Sequence, residues 1–196
     1  MTQSLKNSKY IFAVLVLVSV ALAACGGNPA HTSYRDVNMD FAALRTVAVM
    51  PFQNLTDDKL AAERVRDTFM TALLSTGALY VIPPGEVARG IARANVLNPT
   101  APSVEELGKM VGLVKADAVI TGVVKEFGVL KSGTASAGVV SMSVQMIEAQ
   151  TQRVVWAAAT TQGGISTWDR LLGGGGQPMN NVIQAAINDL ISKLFQ

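Results

Sequence analysis

The chain has a short apolar block at residues 11–22 and, from residue 45 onward, short apolar runs that alternate with amphipathic segments. Short β-branched runs are typical of strands, whereas apolar residues spaced three or four positions apart indicate helices. The run at residues 46–50, which ends at Pro51, predicts a strand buried on both faces. The predicted order of elements is β-α-β-α-α-β-β-β-α.

Four amphipathic segments predict helices, and two of them carry clear end signals. The loop at residues 53–58 offers Thr and Asp side chains that can cap the first helix, which we expect to end at Gly77. Ser103 followed by Glu106 predicts a capping box at the start of the third helix. The other two helices are predicted at about residues 85–95 and 178–194. The residues predicted to face the core are Leu60, Val65, Phe69, Ala72 and Leu73 in the first helix, Val87, Ile91 and Ala94 in the second, and Leu107, Met110 and Val111 in the third.

Three apolar segments in the second half of the chain predict an antiparallel meander, because the connections between them are short. The predicted strands cover residues 118–130, 138–148 and 153–163, and an earlier strand covers residues 78–82. We expect residues 128–137 to be a short polar connection and Trp156 to pack beneath a helix. The fold class that follows is α/β (α+β): a single domain with a mixed sheet and helices packed on it.

The N-terminal segment has the three parts of a secretory signal: lysines without acids, the apolar block at residues 11–22, and a small-residue exit at Ala23-Ala24-Cys25. The block is shorter than the roughly 20 residues that a membrane-spanning helix needs. The stretch at residues 22–25 resembles a lipobox, which predicts cleavage between Ala24 and Cys25 and lipidation of Cys25. An ordinary signal whose first mature residue is Cys is the alternative.

The lipobox divides the chain into three parts. Residues 1–24 are the predicted signal peptide, residues 25–44 the lipidated N-terminus with a flexible tether, and residues 45–196 a periplasmic α/β domain. Two or three acyl chains hold a protein firmly on a membrane. By resemblance to lipoproteins of Gram-negative bacteria, Gly26 after the lipidated residue implies delivery to the outer membrane.

Composition excludes several kinds of function. Without the two lysines of residues 1–24, the 16 basic residues become 14, equal to the 14 acidic residues, so nucleic-acid binding lacks an electrostatic driving force. Cys25 is the only cysteine and His31, in the tether, the only histidine, so a metal site of Cys and His ligands is excluded by count. We expect no cofactor.

The remaining candidates for chemistry have simpler structural interpretations. Asp57 and Asp58 precede a helix, where capping explains them better than acid–base catalysis, and Asp117 precedes a strand as a turn residue. Serines 132, 136, 141 and 143 have no histidine near them in sequence.

The glycine-rich segment at residues 173–178 lacks the Lys-Ser/Thr ending of a phosphate-binding loop. Residues 164–177 are instead a candidate flap whose Trp168 contacts a partner; Trp168 folded back onto the core is the alternative.

Several stretches resemble one group of envelope proteins, which includes the curli secretion component CsgG, the lipoprotein activators of penicillin-binding proteins, the N-terminal domain of TolB and small lipoproteins with the same core. The matching stretches are residues 47–56, 77–82, 116–124 and 147–156, together with the first helix, within residues 45–195. The resemblance implies a fold more than a task. The long amphipathic hairpins of the pore-forming relative are missing, because residues 128–137 are short and polar.

The sequence therefore predicts an outer-membrane-anchored periplasmic lipoprotein that is not an enzyme. We expect it to bind an envelope protein partner or to form a homo-oligomer. Two alternatives stay open: a component of a secretion channel like CsgG, and a periplasmic hydrolase or small-ligand binder whose site converges on Asp57, Asp58 or Asp117.

Overall fold

A seven-stranded mixed sheet organises the chain in the computed structural model, which describes residues 33–133, 135–164 and 176–196. The order is β1-β7-β6-β5-β2-β4, and β3 pairs with β5 beyond the end of β2. The strands are β1 (Ser33–Arg35), β2 (Thr46–Val49), β3 (Gln53–Asn54), β4 (Tyr80–Val81), β5 (Ala118–Ser132), β6 (Ala135–Glu148) and β7 (Val154–Gly163). β4, β2, β3 and β5 are parallel, whereas β5, β6, β7 and β1 are antiparallel neighbours. The predicted fold class and meander are confirmed.

Four α-helices in the described residues cover the sheet unequally. They are α1 (Ala61–Ser75), α2 (Pro84–Ala94), α3 (Val104–Val114) and α4 (Met179–Leu194), and a 3₁₀ helix lies at Phe41–Ala43. α1 and α4 pack on one face and contribute to the larger core cluster, which runs along β2, β5, β6 and β7. α2 and α3 pack on the other face against a smaller cluster. In the part of the chain that the structure describes, no helix is long and apolar enough to cross a membrane.

Strand β2 is buried on both faces, as its unbroken apolar run predicts. Val47 and Val49 belong to the core beneath α1 and α4, whereas Ala48 and Met50 belong to the core beneath α2 and α3. The Arg66 side chain of α1 reaches the end of this strand, where Nε donates to the Met50 carbonyl at 2.9 Å and Nη2 to the Val49 carbonyl at 2.6 Å. Burial of the guanidinium lowers the pKa of Arg66.

The helix ends follow the predicted signals in two places. The Ser103 hydroxyl accepts from the Glu106 amide at 3.2 Å, and the Glu106 carboxylate accepts from the Ser103 amide at 2.7 Å, which confirms the capping box. After α1, Gly77 adopts a left-handed φ of +64° and donates its amide to the Leu74 carbonyl. Leu60 was predicted wrongly to face the core: it is 50% exposed, because α1 begins at Ala61 and Leu60 lies in the turn before it.

Strand β4 is shorter than residues 78–82, because only Tyr80 and Val81 pair with β2. Pro83, which has no amide hydrogen, directly precedes α2.

The prediction of a polar connection at residues 128–137 is wrong. β5 and β6 stay paired to Ser132 and Ala135, and Gly133, with φ of +59°, lies in the two-residue turn between them. Strands pair through backbone hydrogen bonds, which do not require apolar side chains. The side-chain pattern therefore did not indicate that the strands continue here.

Candidate partner-binding surface

Helix α4 covers one face of the meander, and a buried indole of the sheet bonds to it. Trp156 in β7 is fully buried, and its Nε1 donates to the Lys193 carbonyl near the end of α4 at 3.1 Å. The Lys193 ammonium donates to the Ala159 carbonyl of β7 at 3.0 Å. It also forms an ion pair with Asp189, one turn earlier in α4, at 2.6 Å. The predicted packing of Trp156 beneath a helix is confirmed.

On the opposite face of the meander, α3 covers Val119 and Ile147, and the rows beyond them carry no helix in the described part of the chain. We call this uncovered part the outer meander face; its residues lie in three rows across the strands, set by the register of β5, β6, β7 and β1. The rows are Thr121, Gln145, Ala157 and Tyr34; then Val123, Ser143 and Ala159; then Glu126, Ser141 and Thr161.

Apart from Glu126 in the third row, the outer meander face is uncharged, and its middle row carries short side chains. Ser143, Ala157 and Ala159 are half-buried, and the Ser141 and Thr161 hydroxyls share a hydrogen bond of 2.9 Å. A sheet face that meets only water usually carries longer charged side chains. Short uncharged residues let another protein approach the sheet closely, with hydroxyls and amides left to form hydrogen bonds.

The three aspartates proposed for an alternative catalytic site do not converge. The Asp117 carboxylate accepts from the amides of Arg45 and Thr46, both at 2.9 Å, at the start of β5. Asp58 lies beyond β3, which pairs with Val123 and Val124, so about 20 Å of strand separates the two aspartates.

Asp58 instead orders the turn before α1. Its carboxylate accepts from the Leu60 amide at 2.9 Å and forms an ion pair with Arg64 at 3.6 Å. Asp57 is exposed beside it. The predicted structural role of this pair therefore holds for Asp58, although its capping contact falls in the turn rather than at the helix N-cap.

No metal-binding constellation occurs among residues 33–133, 135–164 and 176–196: none of their His, Cys, Asp and Glu side chains cluster in groups of three or more.

The remaining predicted site residues lie outside the described part of the chain. These are Ala24 and Cys25 at the predicted cleavage and lipidation site, His31, and the candidate contact residue Trp168. The described residues that flank residues 165–175 both bond to β6: Gly164 donates to the Gly138 carbonyl, and Gly176 donates to the Ser136 carbonyl.

Sequence reasoning missed a small cavity of about 270 Å³ between the 3₁₀ helix and the end of α4. Arg35 lies over the Phe41 ring, with its guanidinium carbon 3.7 Å from the ring centroid, and donates to the Leu194 carbonyl at 2.5 Å. Arg45 and Leu79 line the same cavity. The spacing of Phe41 and Leu44 was the available signal, but Gly, Asn and Ser residues nearby favoured a tether.

Solved structures with the same architecture come from several bacteria. A PelC variant crystallised as a dodecamer, from Paraburkholderia phytofirmans, is 19% identical, with a TM-score of 0.55 over 83% of this chain and 96% of PelC. Lipoprotein GNA1162 from Neisseria meningitidis is 16% identical, with a TM-score of 0.56 over 77% and 98% of the two chains. Hypothetical protein CT253 from Chlamydia trachomatis is 15% identical, with a TM-score of 0.51 over 78% and 96%. These likenesses show a shared fold.

The fold is that of small bacterial α+β domains, and one of the solved structures that share it is a lipoprotein. Within that class, the sequence profile described as "Peptidoglycan-synthase activator LpoB" matches residues 28–161. The chain belongs to this LpoB family. The match selects the activator lipoproteins from the wider group that the sequence resembles, and it does not support a specific likeness to CsgG or TolB. No curated protein matches the chain.

Proposed function

We propose that this chain is a lipid-anchored, non-enzymatic accessory protein that binds and activates a peptidoglycan synthase. The family match over residues 28–161 carries the proposal, because the description of that family is peptidoglycan-synthase activator. The mature protein starts at Cys25, whose acyl chains anchor it to the outer membrane, with Gly26 as the sorting residue. The mechanism is positional: the anchor fixes one end, and the domain presents a surface to the synthase.

The outer meander face is the surface that we assign to this contact. Its centre is uncharged and built of short side chains, Glu126 lies in its third row, and no helix of the described residues packs on these rows. Trp168, between the segments that bond to β6, is a second contact residue in this proposal. An indole is a common anchor at protein interfaces.

Ser143→Arg tests the surface, because Ser143 lies in the middle row between Val123 and Ala159. A long charged side chain there should weaken binding to a purified synthase of the same organism by at least about tenfold, or about 1.4 kcal/mol. The unfolding free energy should stay within about 0.5 kcal/mol of the wild type. Ser75→Arg, an exposed position at the end of α1, is the matched control and should bind normally. Equal binding by both variants would remove the outer meander face from the proposal.

Mass spectrometry of the native protein tests the anchor. We expect an N-terminal peptide that begins at an acylated Cys25. A Cys25 peptide without acyl chains, or one still joined to residues 1–24, would contradict the anchoring part of the proposal.

Self-association is a second candidate function, favoured by the fold likeness to PelC, which was solved as a dodecamer. Sedimentation of the detergent-solubilised protein distinguishes the two. A concentration-independent monomer that binds the synthase supports the activator function, whereas a stable ring-sized assembly without synthase binding supports self-association.

A further inference from the structure

The β5–β6 hairpin projects beyond the rest of the sheet. The last pair between β6 and β7 is Val139 with Gly163, whereas β5 and β6 stay paired as far as Ser132 and Ala135. We call residues 128–137 the hairpin tip. It is a two-stranded extension; on its β6 side, Gly176 donates to the Ser136 carbonyl and Ala137 is buried, whereas Val129 and Leu130 on the β5 side are exposed.

The hairpin tip exposes apolar side chains without acidic neighbours. Val129 is 59% exposed and Leu130 is 48% exposed, and they are the only consecutive pair of large apolar residues exposed in the described part of the chain. Successive residues of a strand point to opposite faces, so each face of the tip carries one exposed large apolar side chain. Lys131 follows, and residues 128–137 contain no Asp or Glu. An apolar end with a lysine suits a lipid surface, where the ammonium lies among phosphates.

The chain enters β1 from the side of the sheet on which the hairpin tip lies. β1 is antiparallel to β7, so the chain enters Ser33 from the direction in which β7 ends, which is the direction of the hairpin tip. Ser33 pairs with Ala158, which is level with Val144 of β6. From Val144 to Ala135 the strand runs for nine residues, or about 30 Å.

The covalent length from Cys25 to Ser33 limits how far the domain can stand from its anchor. The eight peptide units between them span at most about 28 Å when fully extended. This length is no greater than the distance from Ser33 to the hairpin tip. In the proposed function, the acyl chains on Cys25 therefore hold the bilayer no farther from Ser33 than the hairpin tip lies.

We infer that the hairpin tip is a membrane-contact surface, with Val129 and Leu130 in the lipid interface and Lys131 at the phosphate level. The inference rests on the acylation of Cys25 in the proposed function. Apolar contact and the attraction of lysine to anionic headgroups both favour this orientation. The contact orients the domain: strands β5 and β6 extend away from the bilayer, and the outer meander face is roughly perpendicular to the bilayer plane.

A single reporter cysteine tests the contact in the full-length acylated protein. The Cys25 thiol is consumed by the diacylglyceryl group, so a new cysteine can be labelled selectively with the environment-sensitive fluorophore NBD. Leu130→Cys places the label on the tip. Leu113→Cys is the matched control, because Leu113 is 50% exposed near the end of α3, which leads into the opposite end of β5. Val129→Cys provides an independent second position on the tip.

The labelled proteins are reconstituted into vesicles of phosphatidylethanolamine and phosphatidylglycerol, and their acylation is verified by mass spectrometry. We expect blue-shifted NBD emission from Leu130→Cys and Val129→Cys, with most of it lost to doxyl-labelled lipids, and aqueous emission from Leu113→Cys. Acylated protein whose tip labels are as aqueous as the control overturns the membrane contact and leaves the proposed function intact. An unacylated N-terminus overturns the anchor and this inference together.

Discussion

Glu106 illustrates how a single side chain can connect two segments of the chain. Its carboxylate accepts from the Ser103 amide at the start of α3 and from the Leu97 amide at 2.9 Å in the preceding loop. These backbone hydrogen bonds stabilise the ionised carboxylate, with that from Leu97 the largest contribution, and they lower the pKa of Glu106. The ionised form therefore favours the folded state.

The lowered pKa predicts a pH-dependent effect of Glu106→Gln. A carboxyl group whose pKa is lower in the folded state contributes stability above its unfolded pKa and loses it as the pH falls through the folded pKa. The variant should thus be less stable than the wild type at pH 7, and the difference should shrink below about pH 4. Urea unfolding at a series of pH values measures this; a difference independent of pH would contradict the role of the charge.

Gly122 marks a close approach of strand β5 to an aromatic ring. A Cβ at this position would lie 2.8 Å from the Phe52 ring, so Gly122→Ala should cost about 1–3 kcal/mol of unfolding free energy through overpacking. Gly112→Ala is the control, because a Cβ there meets nothing within 4 Å and α3 should gain about 0.5–1 kcal/mol. Chemical denaturation of both proteins checks the pair. If the unfolding free energy of Gly122→Ala equals that of the wild type, the Phe52 ring moves aside without cost and the overpacking argument is wrong.

Short sequence patterns predicted the helix caps but not the cavity beside Arg35. Ser103 and Glu106 act within four residues of sequence, so spacing alone reveals the box. The contact between Arg35 and the Leu194 carbonyl joins positions 159 residues apart, and no local pattern encodes it.

At the scale of elements, α4 is held on the meander by both packing and specific bonds. Its buried residues include Val182, Ala186 and Leu190, and the Trp156 indole bonds to its last turn. This element was predictable, because its apolar residues repeat with the helical period over 16 residues.

Substitutions at Trp156 should show how strongly this helix depends on the indole. Trp156→Ala should cost about 3–5 kcal/mol, because it opens a large cavity between β7 and α4. Trp156→Phe keeps an aromatic ring but loses the hydrogen bond to Lys193, so a smaller loss is expected. Circular dichroism during urea unfolding measures both; a loss below about 1 kcal/mol for Trp156→Ala would contradict the packing role.

Two elements escaped sequence reasoning for physical reasons. β1 contains only three residues, all exposed, and its pairing depends on the distant edge of β7. The end of the β5–β6 hairpin combines Val129 and Leu130 with glycine and hydroxyl residues in no regular alternation, and its strands are held by backbone hydrogen bonds that side-chain periodicity does not report. Long apolar strands of the same sheet were predicted within a few residues.

At the scale of the whole molecule, helices cover the two faces of the sheet to different extents. α1 and α4 close one face, and α2 with α3 covers part of the other, which leaves the outer meander face for the proposed partner. The hairpin tip, which we infer to contact the membrane, lies at one end of the strands. Fold class was predictable from element order, but the choice of activator family over related envelope proteins needed the family match.

The rate of glycan-strand polymerisation by a purified peptidoglycan synthase of the same organism is the most direct test of the proposed function. The assay uses the acylated wild-type protein, Ser143→Arg and Ser75→Arg in the same vesicles. Activation by the wild type and Ser75→Arg, with little or none by Ser143→Arg, is the predicted result. A polymerisation rate that the wild-type protein leaves unchanged at every concentration would contradict it.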